Sequence, residues 1–319
     1  MNKARPIFIV GCPRSGTSIL TWSLGQHSNI LVQEESNWIG RLAVQIELAY
    51  QTGTARGSRS QLSALDVTRA DFFAAFGDAI DRLVLRHREK LEARLTVAAK
   101  AARDHQPAAA GERKFSAPAP GKASAFQLQR AATDPKQRWI DGTPEYCFYI
   151  YPLRRLFPDA RFIHIVRDVT SVVASMLNFE RTGGPPLVGN ATEAFEYWHR
   201  SVRACLKAER AYGAEIIGRI AHADLVSRPE ETIRDLLDFL GEPYEPSCLE
   251  PLATRINSSK VPVGLEISKT GVDSGTLQKV DELNRELATT ATLGGPDLAA
   301  AAELEAQFQS QVNHARSRA

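Results

Sequence analysis

The sequence has no long apolar run, and this limits where we expect the chain to work. None of its 319 residues lies in a segment that approaches the roughly 20 consecutive apolar residues of a membrane-spanning helix. The first apolar run, Ile7-Phe8-Ile9-Val10, ends at a glycine, well short of the ~7–15 apolar residues of a signal peptide. We therefore expect a cytoplasmic protein with no membrane span.

The sequence also has little net charge and few metal-ligating residues at useful spacing. Its formal net charge is +2, whereas nucleic-acid-binding proteins usually have a larger basic excess. We therefore expect a small anionic ligand and no nucleic-acid partner. The four cysteines are far apart, and the seven histidines show no metal-binding spacing. These patterns predict reduced, buried thiols and no metal site.

Strands and helices alternate along most of the chain. Apolar, β-branched runs predict strands, and helical periodicity predicts the elements between them. The strands are expected at 7–10, 30–32, 139–140, 161–166 and 216–221, and the helices at 17–26, 146–157, 169–179, 194–212 and 230–240. Asp168 is the expected cap of the helix at 169–179. The alternation predicts one α/β domain over 1–319, with a central parallel sheet flanked by helices.

Residues 38–138 form a predicted helical insertion in this alternation. Its first part, 38–105, has apolar residues at helical spacing, while 106–136 is rich in Ala, Pro, Gln and Lys and is expected to be a loop. Two further helical patterns lie within 277–316. Two roles stay open for these C-terminal helices: packing onto the domain and forming a homodimer contact.

A glycine-bounded motif follows the first predicted strand and opens the first predicted helix. It reads Gly11-Cys12-Pro13-Arg14-Ser15-Gly16-Thr17-Ser18. Backbone N–H groups at a helix start have no intrahelical partner and, together with the helix dipole, favour a phosphate. Gly16 allows close backbone approach, Ser15, Thr17 and Ser18 offer hydroxyls, and Arg14 offers a forked cation. The motif predicts a phosphate-binding loop; a glycine turn without a ligand is the alternative.

The spacing of this loop fits the nucleotide-triphosphate P-loop, G-x-x-x-x-G-K-[ST], at every place except one. Thr17 stands where that motif has the lysine that reaches the β- and γ-phosphates. The loop therefore favours phosphate binding but disfavours a kinase.

A second motif consists of Arg167, directly after the strand at 161–166, and Ser175 eight residues later. Ligands of open α/β sheets collect at the carboxyl ends of strands, so this pair could hold a second phosphate. A salt bridge between Arg167 and Asp168 is the alternative when the motif is considered alone.

Together, the two motifs resemble the nucleotide-binding elements of sulfotransferases that use 3′-phosphoadenosine 5′-phosphosulfate (PAPS). The likeness covers 6–35 and 139–260 and includes the segments 156–162, 224–229 and 239–241. It implies a fold like that of P-loop NTPases, with three layers. It implies that Arg14, Ser15, Gly16, Thr17 and Ser18 hold the 5′-phosphosulfate, and that Arg167 and Ser175 hold the 3′-phosphate. Ser258 and Ser259 lie in a segment that resembles the loop closing over the nucleotide; a plain polar loop is the alternative.

The resemblance also implies a general base. Glu34 and Glu35 follow the second predicted strand, which we expect beside the first loop. In the carbohydrate- and tyrosine-sulfating branches a glutamate at this place removes the acceptor proton, and the register through His27 matches Glu35 to it. Glu34 is the second choice, and a pair of surface carboxylates is the alternative. Arg14 would stabilise charge on the transferring group.

Two positions depart from the family pattern. Gly142 stands where the family commonly has a lysine that stabilises the leaving phosphate, so Arg14 with the loop amides, Lys260 or Lys269 would have to supply that charge. His222 stands where related enzymes often have a tyrosine that contacts the nucleotide base.

The sequence therefore predicts a PAPS-dependent sulfotransferase that needs no metal. Its acceptor stays open among a carbohydrate, a peptide tyrosine, a lipid and a secondary metabolite, with the insertion at 38–138 forming much of the acceptor pocket. The alternatives are a P-loop kinase acting on a small metabolite and a non-catalytic nucleotide-binding module.

Overall fold

The computed structural model describes residues 5–33, 35–86, 136–179, 186–253, 271–289 and 296–318. At the centre of this part of the chain is a sheet of five strands. These are β1 (Ile7–Gly11), β2 (Ile30–Gln33), β3 (Arg138–Asp141), β4 (Arg161–Val166) and β5 (Ile217–Ala221). They lie in the order β2-β3-β1-β4-β5, and each neighbouring pair is parallel.

Helices cover both faces of the sheet. They are α1 (Thr17–Leu24), α2 (Ile39–Thr54), α3 (Gln61–Ala64), α4 (Arg69–Arg86), α5 (Ile150–Leu156), α6 (Val169–Leu177), α7 (Ala191–Tyr212), α8 (His222–Ser227), α9 (Pro229–Leu240), α10 (Ser274–Thr289) and α11 (Leu298–Arg316). Short 3-10 helices span Gly57–Arg59, Pro144–Phe148 and Pro246–Ala253. Among the described residues, no helix has both the length and the apolar character needed to cross a membrane.

The side chains of β1 divide the core into two layers. Ile7 and Ile9 point to the face covered by α1 and α9, whereas Phe8 and Val10 point to the face covered by α2, α4, α5, α7 and α11. Successive side chains of a strand point to opposite faces, so a strand that is apolar throughout is stable only when both faces are covered. All of β1 is buried, as its sequence predicts.

The predicted fold class is confirmed: the domain is α/β, with a parallel sheet between helical layers. The strand predicted at 161–166 is β4 to the residue. The helix predicted at 146–157 is instead divided into the 3-10 helix Pro144–Phe148 and α5. Pro152 explains the division, because a proline has no N–H and is tolerated in the first turn of a helix but not in its interior.

The chain after β2 forms α2, α3 and α4. The stretch 106–136, predicted as a loop, lies outside the described residues except for Lys136. The two C-terminal helices pack onto the domain itself, with Val280 and Leu283 of α10 against α6 and α7, and Phe308 of α11 in the core layer that contains Phe8. All four cysteines are buried and unbridged.

Candidate nucleotide and sulfuryl-transfer site

The loop between β1 and α1 has the geometry of an anion cradle. A turn closes where Ser15 N donates to Cys12 O at 3.1 Å, and Gly16 then adopts φ 103° immediately before α1. Leu20 N donates to Gly16 O, so the N–H groups of residues 17–19 come before the first intrahelical donor. The first turn of α1 contains no acidic residue, and the positive end of its dipole is therefore available to an anion.

Arg14 extends from this loop towards α6. Its backbone has φ 73°, a left-handed conformation that costs a non-glycine residue about 1–2 kcal/mol. Its Nε donates to Ser175 Oγ at 3.2 Å, and its Cζ lies 4.1 Å from the centroid of the Phe179 ring. The guanidinium is thereby held between a buried hydroxyl and an aromatic face.

Arg167 reaches the same loop from the carboxyl end of β4. Its Nη1 donates to Arg14 O at 3.0 Å, and its own carbonyl accepts from Trp198 Nε1 at 3.3 Å. The next residue, Asp168, caps α6 as predicted, accepting from the backbone N–H of Ser171 at 2.7 Å. This cap fixes the start of the helix that carries Ser175.

The electrostatics of the cluster favour an anionic ligand. Burial and the nearby Arg167 guanidinium lower the pKa of Arg14, whereas Glu35 raises it. Burial also lowers the pKa of Arg167. Both arginines stay charged at neutral pH because their usual pKa is above 12. Two half-buried like charges repel each other, and an anion bound between them would relieve that repulsion.

His222, the first residue of α8 and directly after β5, closes the cradle. A Cβ placed on Gly16 would lie 2.6 Å from His222 Cδ2, so the imidazole ring contacts the loop backbone directly. Burial, with a smaller effect from Arg167, lowers the pKa of His222 to about 4. The ring is therefore neutral at pH 7 and offers the site a flat, uncharged surface.

Glu35 lies at the edge of the site, where its carboxylate is exposed and its charge acts on Arg14. The sequence predicts β2 beside the first loop, and the observed strand order differs from that expectation. β3 intervenes between β1 and β2, pairing Asp141 with both Phe8 and Gln33. Glu35 follows the end of β2 by two residues, and its charge acts on Arg14 of the loop.

The structure also shows why position 142 has no lysine. A Cβ on Gly142 would lie 2.1 Å from Thr21 Oγ1, which itself donates to Thr17 O at 2.8 Å. A side chain at this position would therefore require Thr21 of α1 to shift. Among the described residues, Arg14 and Arg167 supply the cations of the cradle.

Several predicted site residues cannot be placed. Glu34, Ser258 and Ser259 lie outside the described residues, and so do Lys260 and Lys269. Of the loop hydroxyls that are described, those of Ser15 and Thr17 belong to buried residues and that of Ser18 to an exposed one. Within the described ranges, no three His, Cys, Asp or Glu side chains are grouped so as to hold a metal ion.

Sequence reasoning missed two features of the site. The first is Phe179, whose signal would have been its position one helical turn after Ser175. The second is a buried hydrogen-bonded group at the end of β3, Asp141 with Thr143, that contacts Ser36. No spacing rule could have linked Ser36 to Thr143 across more than a hundred residues.

The known proteins that this chain resembles include several sulfotransferases. The sequence model described as "Sulfotransferase family" matches residues 6–246. The chain is 22% identical over 253 residues to protein-tyrosine sulfotransferase 1 of Danio rerio, covering 78% of this chain and 56% of that protein. It is 21% identical over 284 residues to protein-tyrosine sulfotransferase A of Caenorhabditis elegans, covering 89% of this chain and 60% of that protein. The chain thus spans little more than half the length of these two relatives.

The solved structures that this chain matches include the sulfotransferase domain from the curacin biosynthetic pathway. It shares 20% sequence identity with a TM-score of 0.43, over 97% of this chain and 99% of that chain.

Proposed function

The chain belongs to the sulfotransferase family, and we propose that it moves the sulfuryl group of PAPS to a hydroxyl or amine of an acceptor. The observation that supports this most is the meeting of Arg14, Arg167 and Ser175 beside a helix start. A donor nucleotide with phosphate at two positions suits a site in which two cations from different strands converge. A cytoplasmic location stays the prediction from the sequence.

We assign the two ends of the nucleotide to the two sides of this cluster. The amides of residues 15–18 and the hydroxyls of Ser15, Thr17 and Ser18 would hold the 5′-phosphosulfate. Arg167 and Ser175 would hold the 3′-phosphate. Arg14 lies between the two sides, because it bonds to Ser175 and belongs to the loop. Ser258 and Ser259 stay predicted nucleotide contacts.

In the proposed reaction Glu35 accepts the proton of the acceptor O–H or N–H. The acceptor lone pair forms a bond to sulfur while the bond from sulfur to the 5′-phosphate oxygen breaks, and that electron pair leaves with adenosine 3′,5′-bisphosphate. Arg14 and the loop amides would stabilise the negative charge on the transferring group and leaving phosphate. The interaction between Glu35 and Arg14 supports this pairing of roles.

A kinase is the weaker candidate. Thr17 is buried at the place of the P-loop lysine, and its carbonyl accepts from Thr21 Oγ1. The position therefore supplies no cation to a β- or γ-phosphate. Among acceptors, the names of the relatives make a tyrosine the first to test, with sugars, lipids and secondary metabolites next.

Calorimetric titration with adenosine 3′,5′-bisphosphate, without metal, tests the nucleotide assignment. We expect micromolar binding, with Arg167→Ala weakening it by about 10–150-fold, the value of a lost charge-assisted hydrogen bond. Arg234→Ala is the matched control, because Arg234 is an exposed arginine of α9 whose partner is Glu230. Absence of bisphosphate binding, or tight binding of ATP with magnesium instead, would contradict the proposal.

Glu35→Gln separates an enzyme from a binding module. We expect unchanged bisphosphate affinity but a roughly 10²–10⁴-fold lower rate of sulfuryl transfer, the usual contribution of a general base. Transfer is measured as bisphosphate release from PAPS with tyramine, then with sugar and lipid acceptors. The control is Glu215→Gln, an exposed glutamate at the amino end of β5. A non-catalytic module would give no acceptor-dependent release even in the wild type.

A further inference from the structure

A buried hydrogen-bonded group lies at the carboxyl end of β3. Asp141 and Thr143 are both fully buried. Asp141 Oδ1 accepts from the backbone N–H of Thr143 at 2.9 Å and from its hydroxyl at 2.6 Å. An aspartate that accepts from the residue two places later forms a local turn, which by itself would concern residues 141–143 alone.

This group reaches across the chain to the residue after Glu35. Ser36 N donates to Thr143 Oγ1 at 2.9 Å. Because the Thr143 hydroxyl gives its hydrogen to Asp141, its lone pairs are turned towards Ser36. Burial raises the pKa of Asp141, while hydrogen bonds from Ser36 and Thr143 oppose that shift.

A second contact fixes the same segment. Ser36 Oγ lies 2.5 Å from Tyr146 Oη, and the Tyr146 hydroxyl also accepts from Ile39 N at 3.1 Å. Tyr146 is buried in the 3-10 helix that follows β3. The backbone from residue 36 to residue 39 is therefore held at both ends by side chains that come from residues 143–146.

Glu35 itself has little regular structure to hold it. It lies beyond β2, an edge strand of the sheet, and before α2, and its side chain is exposed. A general base must lie within hydrogen-bonding reach of the proton that it removes, and a displacement of 1 Å can lower a rate by about a hundredfold.

We propose that Thr143, oriented by Asp141 and assisted by Tyr146, is a positioning residue that fixes the backbone beside Glu35 for proton removal. This inference rests on the proposed role of Glu35 as base. Thr143 touches neither donor nor acceptor in this assignment, so its loss should affect the rate of transfer and leave nucleotide binding intact.

The test compares Thr143→Val, which keeps the shape but loses the hydroxyl, with Thr143→Ser, which keeps the hydroxyl. Hydrogen exchange of the backbone at residues 35–39 needs neither donor nor acceptor. We expect exchange there to rise about 3–10-fold in Thr143→Val, the value of one lost hydrogen bond, and to stay near wild type in Thr143→Ser. The backbone of β4 serves as the internal reference.

The kinetic arm uses PAPS with the acceptor that the wild type accepts. We expect kcat to fall about 10–100-fold in Thr143→Val, with bisphosphate affinity within about twofold of wild type and recovery in Thr143→Ser. Tyr146→Phe, which removes the second contact, should act in the same direction and replaces Thr143→Val if that variant does not fold.

Unchanged exchange at 35–39 in Thr143→Val would overturn the inference. Equal losses of kcat and bisphosphate affinity would also overturn it, because they indicate a general structural defect. Failure of the proposed function has a different signature: the wild type itself would bind no bisphosphate, while the exchange comparison would still report whether Thr143 fixes this segment.

Discussion

Replacing Gly16 by alanine would place a methyl group against the ring of His222. Gly16 has φ 103°, and its new Cβ would lie 2.6 Å from His222 Cδ2 and 3.3 Å from Ile165 Cδ1. The backbone cost of a side chain at positive φ is about 1–2 kcal/mol, and displacement of a packed ring costs about 1–3 kcal/mol. We therefore expect Gly16→Ala to lower the free energy of unfolding by about 2–5 kcal/mol.

Urea unfolding of Gly16→Ala, His222→Ala and the double variant separates the two costs. Removing the imidazole relieves the ring contact but not the backbone conformation, so the coupling energy between the two positions should be about 1–3 kcal/mol. Gly57→Ala is the matched control, because Gly57 also has positive φ but has open space around a new Cβ. It should show the backbone cost alone.

Two results would refute this reasoning. The first is a Gly16→Ala variant that loses no more stability than Gly57→Ala. The second is a coupling energy between Gly16 and His222 below about 0.5 kcal/mol, the level at which independent sites usually add. Either result would mean that His222 does not pack on the phosphate loop as described.

Two further predictions concern buried polar and packing positions around the sheet. Burial raises the pKa of Asp81 from 3.8 to about 6. Between pH 3.8 and about pH 6 the folded chain therefore binds more protons than the unfolded chain, so the free energy of unfolding falls as the pH rises through this range. Asp81→Asn removes the charge but keeps an acceptor for Trp139 Nε1. Urea unfolding of this variant should show a free energy of unfolding that is higher than the wild type's by about 1–3 kcal/mol at pH 8 and no higher at pH 3.5. Gly142→Ala should lower the free energy of unfolding by about 1–3 kcal/mol, because the new methyl group meets Thr21. Adding Thr21→Ala to this variant should restore part of the lost stability. A Gly142→Ala variant as stable as the wild type would show that Thr21 does not obstruct the position.

The sequence predicts the elements of this fold better than their arrangement. β4 is a mostly apolar run that begins at Arg161 and ends before Arg167, and its limits follow from that pattern. β1 and β2 are also short apolar runs, and β3 has only Trp139 and Ile140 as apolar residues. Periodicity does not say which of these strands are neighbours. The insertion of β3 between β1 and β2 could therefore not be predicted, although it determines how Glu35 approaches the loop.

In the candidate site, too, the sequence predicts the residues better than their arrangement. Chemistry and spacing single out Arg14, Arg167 and Ser175. The family resemblance assigns Arg14 to one end of the nucleotide and the other two residues to the opposite end. The contact of Arg14 with Ser175 spans 161 positions and depends on how α6 is placed after its cap. Phe179 and Thr143 carry no motif, and only packing reveals their contacts.

The strand order has a consequence for the order of assembly during synthesis. β1 and β2 are separated by one strand position, roughly 10 Å for two strand spacings, so the amino-terminal strands have no partner in each other. β3 and β4 supply those partners, and β4 ends at Val166. A ribosome that adds about 5–20 residues per second needs roughly 8–31 s to go from the end of β1 at Gly11 to that residue. During that interval β1 lacks its β4 partner, and an unpaired strand edge of this kind is prone to aggregation.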